Sequence, residues 1–382
     1  MRDAALGKTR AFNGGFFTQR RLRRILELAG HPVSVGWPKS DDHVAIWGNS
    51  PTAHRGLRMV EKTGAKPLFV EDAFLRSLFP ARVKDEAPAG LLIDRVANHF
   101  DPTQISDLEQ ILKSDPLDNG HDLQRARDAI ARIGAAKLSK YCAYQDDPKK
   151  PRGAYILILD QTRDDAAVRA SGGNDVLFSE MLYYAQENHP GHRIVIKTHP
   201  ETNAGKRTGY FTDAHCTSPY ITLYDGPASA WEMLENAVAV YTVSSTMGFE
   251  AILAGHKPHV FGKPFYAGWG LTQDYFPIDR RQRTLTRAQL FVGAMIQYPK
   301  WYAITDALCP LETVLDALEA KSRAYQQDVS GWNAHNRRLW KRAHFKRIFG
   351  VYGGITYNGD DPKRPTMTWG AKSATKTDFR VE

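Results

Sequence analysis

Short apolar runs alternate with amphipathic stretches twice along this chain. Residues 43–47 (His43-Val44-Ala45-Ile46-Trp47) and 67–70 (Pro67-Leu68-Phe69-Val70) read as buried strands, with a helix between them running to about residue 62. That β-loop-α-β rhythm predicts a parallel, Rossmann-like half. Ahead of it lies a basic helix over 19–28, with Leu22, Ile25 and Leu28 at helical spacing. Residues 101–143 have a polar helical pattern, and Asp146-Asp147-Pro148-Lys149-Lys150-Pro151-Arg152-Gly153 has the composition of a linker. The rhythm then restarts, with strands over 155–159, 193–197, 220–223, 238–242 and 258–261 and helices over 175–187, 228–235 and 247–254.

The prediction is an α/β fold of GT-B-like type, two Rossmann-like halves facing each other across a cleft. The halves are placed at residues 1–150 and 151–285, followed by a helical segment over 286–350 and a loose tail over 351–382. The tail is expected to be loose because it is rich in Gly, Pro, Thr and Lys.

With 382 residues, 42% hydrophobic and 24% charged, the chain has room for two ordinary domains and is not of disordered composition. Its net charge of +9 favours anionic partners. Segment 337–347 mixes cations with aromatics and reads either as a membrane-facing patch or as a solvated helix face. No nucleic-acid-binding module is recognisable, so no nucleic-acid partner is expected. Cys142, Cys216 and Cys309 are far apart, which argues against a disulfide framework or zinc site and fits a reducing compartment. There is no signal-like apolar core, and no apolar run of about 18 residues that would span a membrane. A cytoplasmic protein is expected, with any membrane contact peripheral.

The candidate chemistry lies in loops at strand ends, where open α/β sheets bind ligands. Lys197-Thr198-His199-Pro200 offers a cation and an imidazole. Val243-Ser244-Ser245-Thr246 leads into a helix, where Ser244, Ser245 and Thr246 either cradle a phosphate or cap the helix. A capping box from Ser245 or Thr246 would require an acidic residue at Gly248 or Phe249, which leaves Glu250 free to meet a ribose. Asp160-Gln161-Thr162-Arg163-Asp164-Asp165 follows a strand and supplies a sugar-directed carboxylate or a helix cap. Glu71-Asp72 holds the corresponding place in the first half. The string from Gly262 to Thr272, with three aromatics and three glycines, either stacks on a base or sugar or plugs a core.

Taken together, Glu71-Asp72-Ala73-Phe74-Leu75-Arg76-Ser77, the 161–165 loop, Lys197 to Pro200, Ser244 to Gly255 and Pro264 to Thr272 resemble the capsule polysaccharide β-Kdo transferases of the KpsC type, in family order. The Lys-x-His-Pro and Ser-Ser pair is also similar to the motifs of bacterial sialyltransferases. The resemblance implies a retaining glycosyltransferase in capsular polysaccharide biosynthesis, moving Kdo from CMP-β-Kdo onto a phospholipid-linked or saccharide acceptor with no metal or other cofactor. It further implies work at the cytoplasmic face of the inner membrane beside capsule assembly and export proteins. By motif position, Asp165 would be the nucleophile, Glu71 the acid or base and His199 a catalytic partner. Lys197, His199, Ser244, Ser245, Thr246, Glu250 and Gln161 would hold CMP, residues 1–150 would face the acceptor and 151–285 would bind the donor. The sequence departs from the family pattern with Asp160, Ala73 and Thr198 where Gly, Gly and Pro are usual, and it has room for one transferase module only. Asp160 is thus a rival nucleophile. A CDP-alcohol-dependent glycerophosphotransferase of the teichoic-acid type and a non-catalytic export or scaffold protein are the alternatives.

Overall fold

The computed structural model describes residues 7–84, 86–335, 339–369 and 379–381. Its first half carries β1 (Thr9–Ala11), β2 (Val33–Ser34), β3 (His43–Trp47), β4 (Lys66–Asp72) and β5 (Gly90–Asp94). In the second half, β6 (Tyr155–Leu159), β7 (Ile194–Lys197), β8 (Ile221–Tyr224), β9 (Ala237–Thr242), β10 (His259–Val260) and β11 (Gln273–Asp274) form a sheet in the order β11-β10-β9-β6-β7-β8. Every pairing in it is parallel. All five residues of β6 are buried, as a central strand covered by helices on both faces requires.

The first sheet differs from the wholly parallel one expected. Its order is β13-β12-β5-β4-β3-β1-β2, completed by β12 (Lys300–Tyr302) and β13 (Leu308–Cys309), which the chain supplies after leaving the second half. β1 to β4 run parallel, whereas β5 is antiparallel to β4 and to β12, and β12 is antiparallel to β13. Segment 286–350 is therefore not simply helical: it returns two strands to the first sheet and then forms the helix Leu311–Asp328. That helix straps the first half. Its Glu312 pairs with Arg125 at 2.9 Å, and Asp316 and Glu319 pair with Arg132 at 2.6 and 2.5 Å.

The amphipathic logic of the basic helix holds with one shift. Arg20–Leu28 buries Leu22, Ile25 and Leu26, the i, i+3, i+4 set, while Leu28 is only partly covered.

Within the tail predicted to be loose, described residues form strands. β14 (Trp332–Ala334), β15 (Ile355–Tyr357), β16 (Thr366–Trp369) and β17 (Phe379–Val381) form a small parallel sheet ordered β15-β14-β16-β17. Asp328 ties it to the long helix, accepting from Trp332 Nε1 at 2.7 Å, from the Tyr352 amide at 2.7 Å and from the Gly350 amide. Short strands among Gly and Pro are hidden by composition, and they persist because Trp332, Ala334, Phe345 and Met367 share a core. Of the basic segment, Arg337 and Arg338 lie outside the described residues. Within the helix Leu339–Ile348, Phe345 turns into that core and Arg342 sits 4.4 Å over the Tyr357 ring, while Lys346 and Arg347 face solvent.

The two halves are bolted together by Glu109, whose carboxylate accepts from Arg280 Nε at 2.5 Å and from Arg281 Nη2 at 2.8 Å. Arg281 and Glu109 side chains are 2% and 4% exposed. Burial opposes ionisation of Glu109, but the two guanidiniums outweigh it and hold the carboxyl below its ordinary range. Glu109→Ala strands Arg281 as a buried, uncompensated cation, and a loss of about 3–5 kcal/mol is expected, measurable by denaturant unfolding. A group with a depressed folded pKa contributes stability above its unfolded value and loses it as pH falls. The wild type's advantage over the variant should therefore shrink on acidification.

Candidate functional site

Between the two sheets, at the carboxyl ends of the parallel strands, lies a cavity of about 570 Å³. Glu71, Gln161, Asp165, Lys197, His199, Ser244, Ser245, Thr246 and Glu250, the residues given roles from motif position, all line it. They come from the ends of β4, β6, β7 and β9 and from the helix Thr246–Ala254.

Capping and cradling prove to be two uses of one turn. Ser245 is the N-cap, its hydroxyl oxygen accepting from the Met247 amide at 3.2 Å while its O–H stays free to donate. Both ends of the Gln161 amide hold Ser244: Oε1 accepts from its backbone N–H at 2.8 Å and Nε2 donates to its hydroxyl at 3.2 Å. Gln161 thus braces the turn. Among the described residues, neither the amide nor the hydroxyl of Thr246 has a partner, and these, with the O–H groups of Ser244 and Ser245, are the donors available to an anion at the helix start.

The aromatic string acts mostly as a plug, with Trp269 and Tyr266 fully buried. Tyr266 donates to the Ser245 carbonyl at 2.6 Å, which fixes the capped turn from below. A Cβ on Gly248 would lie 2.3 Å from the Tyr266 oxygen. Gly248→Ala should therefore push the tyrosine off, costing about 1–3 kcal/mol by overpacking and weakening anion binding at the turn. Thermal melts with and without a nucleotide monophosphate read both effects.

Lys197 and His199 reach the cavity by different routes. Lys197 ends β7, and its ammonium donates to the Gly226 carbonyl at 3.1 Å, while burial lowers its pKa to about 8. His199 caps the short helix Pro200–Asn203, with Nδ1 accepting from the Glu201 amide at 3.1 Å. Burial lowers its pKa to about 4, so at neutral pH the ring is uncharged and its proton sits on Nε2. His199 is a fixed hydrogen-bond donor.

Asp165 is the N-cap of the helix Ala166–Ala170. One oxygen accepts from the Ala167 amide at 2.9 Å, and the other lies 4.0 Å from Arg207 Nη1. The cap orients the carboxylate and leaves its second oxygen to the cavity. The rival Asp160 is only 3% exposed. Its Oδ1 accepts from the Gln161 and Tyr210 amides at 2.9 and 3.0 Å, and its Oδ2 packs where a Cβ on Gly209 would sit 2.1 Å away. Asp160 thus braces the 209–210 segment.

Across the cavity, Glu71 accepts from the Asp72 amide at 3.0 Å and packs against Gly48, whose φ of +43° and missing Cβ make room for it. Burial first, then the charge of Asp72, raises the Glu71 carboxyl to about 7, with Asp165 adding to the rise and Lys140 opposing it. Asp72 itself pairs with Arg76 at 2.7 Å. Glu250, expected to be free for a ribose, is half engaged. Its Oε1 accepts from the Ser139 hydroxyl at 2.6 Å and the Lys140 amide at 3.2 Å, while buried Oε2 has no partner among the described residues. Burial lifts its pKa to about 7.

The sequence reading missed Ser139, Lys140, Tyr141, His99 and Arg207, all of which line the cavity. Residues 139–141 belong to the crossing between halves, which was read as part of a polar helical stretch. The helix stops at Ala135, and Tyr141 instead bridges to Ser77. No periodicity marks such a segment.

Residues 116–301 match the family model described as capsule polysaccharide biosynthesis protein. The chain is 33% identical over 364 residues to the capsule polysaccharide modification protein LipA of Neisseria meningitidis serogroup B, covering 90% of this chain and 51% of that protein. It is 32% identical over 262 residues to the lipopolysaccharide-processing protein LpsZ of Rhizobium meliloti, covering 67% and 59%. The chain thus spans about half the length of the LipA relatives it matches. Among solved structures, the β Kdo 2,4 transferase of Thermosulfurimonas dismutans KpsC superposes with a TM-score of 0.76 at 28% identity, covering 82% of this chain and 98% of that one. The β Kdo 2,7 transferase of the same protein, at 23% identity and a TM-score of 0.64, shares the fold. The architecture is GT-B-like, and the chain is similar in sequence and in fold to the KpsC-like capsule polysaccharide proteins.

Proposed function

We propose that this chain is a retaining glycosyltransferase that moves Kdo from CMP-β-Kdo onto a saccharide or phospholipid-linked acceptor. The observation that carries the reading is the pairing of a capped, oriented carboxylate, Asp165, with a half-buried, raised-pKa carboxyl, Glu71, across one cleft whose fold matches a β Kdo transferase.

In this reading the donor phosphate rests on the Thr246 amide and hydroxyl, with His199 Nε2–H beside it, and Glu250 Oε2 meets the ribose. The open oxygen of Asp165 attacks the anomeric carbon as the bond to the CMP phosphate breaks. The charge that develops on the leaving phosphate is stabilised by donors already in place. Glu71 then takes the proton of the acceptor hydroxyl as that oxygen attacks the same carbon and Asp165 departs. Two inversions give net retention. The reaction needs no metal in this scheme, and transfer is expected to persist in EDTA. Lys346 and Arg347, exposed at the end of the molecule, support a proposed contact with an anionic bilayer face beside capsule assembly proteins.

The test is to incubate the purified chain with CMP-Kdo and a Kdo-capped lipid acceptor, following CMP release and acceptor mass. Gain of one or more Kdo units is the expected result. Consumption of CDP-glycerol in its place would overturn the reading in favour of a glycerophosphotransferase, and inertness toward both donors would favour a scaffold.

A further inference from the structure

Among the described residues, four lysine and arginine side chains line the cavity: Lys137, Lys140, Lys197 and Arg207. Three are already engaged. Lys137 pairs with Glu232 at 3.2 Å, Lys197 donates to the Gly226 carbonyl at 3.1 Å, and Arg207 donates to the Arg163 carbonyl and lies 4.0 Å from Asp165. The Lys140 ammonium makes no hydrogen bond or ion pair among the described residues, and it lies 5.9 Å from the centre of the Tyr141 ring.

The backbone that carries it is held on both sides. The Lys140 amide donates to Glu250 Oε1 at 3.2 Å, and its carbonyl accepts from the Arg76 amide at 3.1 Å. A half-buried cation projected from a fixed segment into a cleft, with no counter-ion in hydrogen-bond reach, fits a site completed by an anionic ligand. It also sits among the reacting groups, since the charges of Glu71, Asp72 and Asp165 act on it and its own charge acts on His199.

The further step rests on the donor reading above. A sugar derived from a 2-keto acid carries its carboxylate on the anomeric carbon itself. Whatever brings that carbon to Asp165 therefore brings a second anion between Asp165 and Glu71, and the repulsion must be offset locally. We propose that Lys140 pairs with the carboxylate on the donor's anomeric carbon and thereby selects keto-acid sugars over nucleotide-linked aldoses. The helix start at Thr246 serves the phosphate, and Lys140 serves the carboxylate.

Isothermal titration of wild type, Lys140→Met and Lys140→Arg with CMP and with CMP-Kdo tests this. Lys140→Met should weaken CMP-Kdo binding about 10- to 100-fold, the range of one charge-assisted hydrogen bond, and change the Kd for CMP less than about twofold. Lys140→Arg should recover most of the loss, and unchanged CMP binding certifies the fold of each variant. An equal loss for both ligands would overturn the proposal, because the cation would then serve the phosphate. Unchanged CMP-Kdo binding would overturn it also. A wild type that binds CMP but not CMP-Kdo removes the donor reading underneath, a result distinct from a variant that still binds CMP-Kdo.

Discussion

Asp165→Ala is expected to abolish the proposed Kdo transfer, lowering kcat by about 10⁴-fold or more, because it removes the carboxylate that the proposed mechanism uses as nucleophile. Asp160 is held differently. Its Oδ1 is held by two amides, and its Oδ2 is packed toward Gly209. The alanine variant has a second consequence that must be separated from the first. Asp165 caps a helix, so its removal also costs about 1 kcal/mol of stability. Asparagine caps as well as aspartate but is no nucleophile at a sugar carbon. Asp165→Asn should therefore melt with the wild type and still show no turnover, whereas Asp165→Ala should be inactive and melt lower. Activity in Asp165→Asn near the wild-type level would reduce Asp165 to a cap.

Glu71→Gln is the second large effect, a fall of about 10²- to 10⁴-fold in kcat, as befits removal of a general base. The pH dependence gives it a signature. The base works ionised, and burial has lifted its pKa to about 7, so wild-type turnover should rise with pH, pass half-maximum near 7 and level off above. That limb should disappear in Glu71→Gln. Stability moves the opposite way. A carboxyl whose folded pKa is raised contributes stability below its unfolded value of 4.5 and loses it as pH climbs through about 7. Glu71→Gln carries no such penalty, so it should match the wild type near pH 4.5 and melt above it at pH 8. Differential scanning calorimetry at the two pH values reads the sign directly. A wild type and variant that track each other at both would mean that Glu71 is not buried as a neutral acid.

Much of the scaffold was legible in the residues. β3, β4, β6, β7, β8 and β9 were each placed from their apolar runs to within about two residues at either end, because strands covered on both faces leave few polar positions. β5, β12 and β13 were not. β12 and β13 are short, and β12 is defined by a partner about 200 residues earlier in the chain, so no local pattern announces it, whereas β5, as long as β3, was passed over. The tail strands were missed for a related reason, since their Gly- and Pro-rich context imitates a linker while their stability comes from Asp328 and from Phe345 on other segments.

The site divides along the same line. Which residues could act was set by local chemistry: hydroxyls at a helix start, a histidine after a strand, carboxylates at strand ends. Which atoms remain free was not. A serine that caps and a serine that cradles have the same sequence, and only the backbone geometry assigned Ser245 to the cap and left Thr246 open. Distance along the chain hid Lys140 altogether. By itself the sequence determined the two-sheet α/β scaffold and the residue types at its carboxyl edges, because burial and capping are written in neighbours a few positions apart. Tertiary structure alone decided that Glu71 and Asp165 share one cavity, that one oxygen of Asp160 is held by backbone amides, and that an uncommitted lysine stands among them, because charge, burial and hydrogen-bond availability depend on atoms that meet only when the chain has folded.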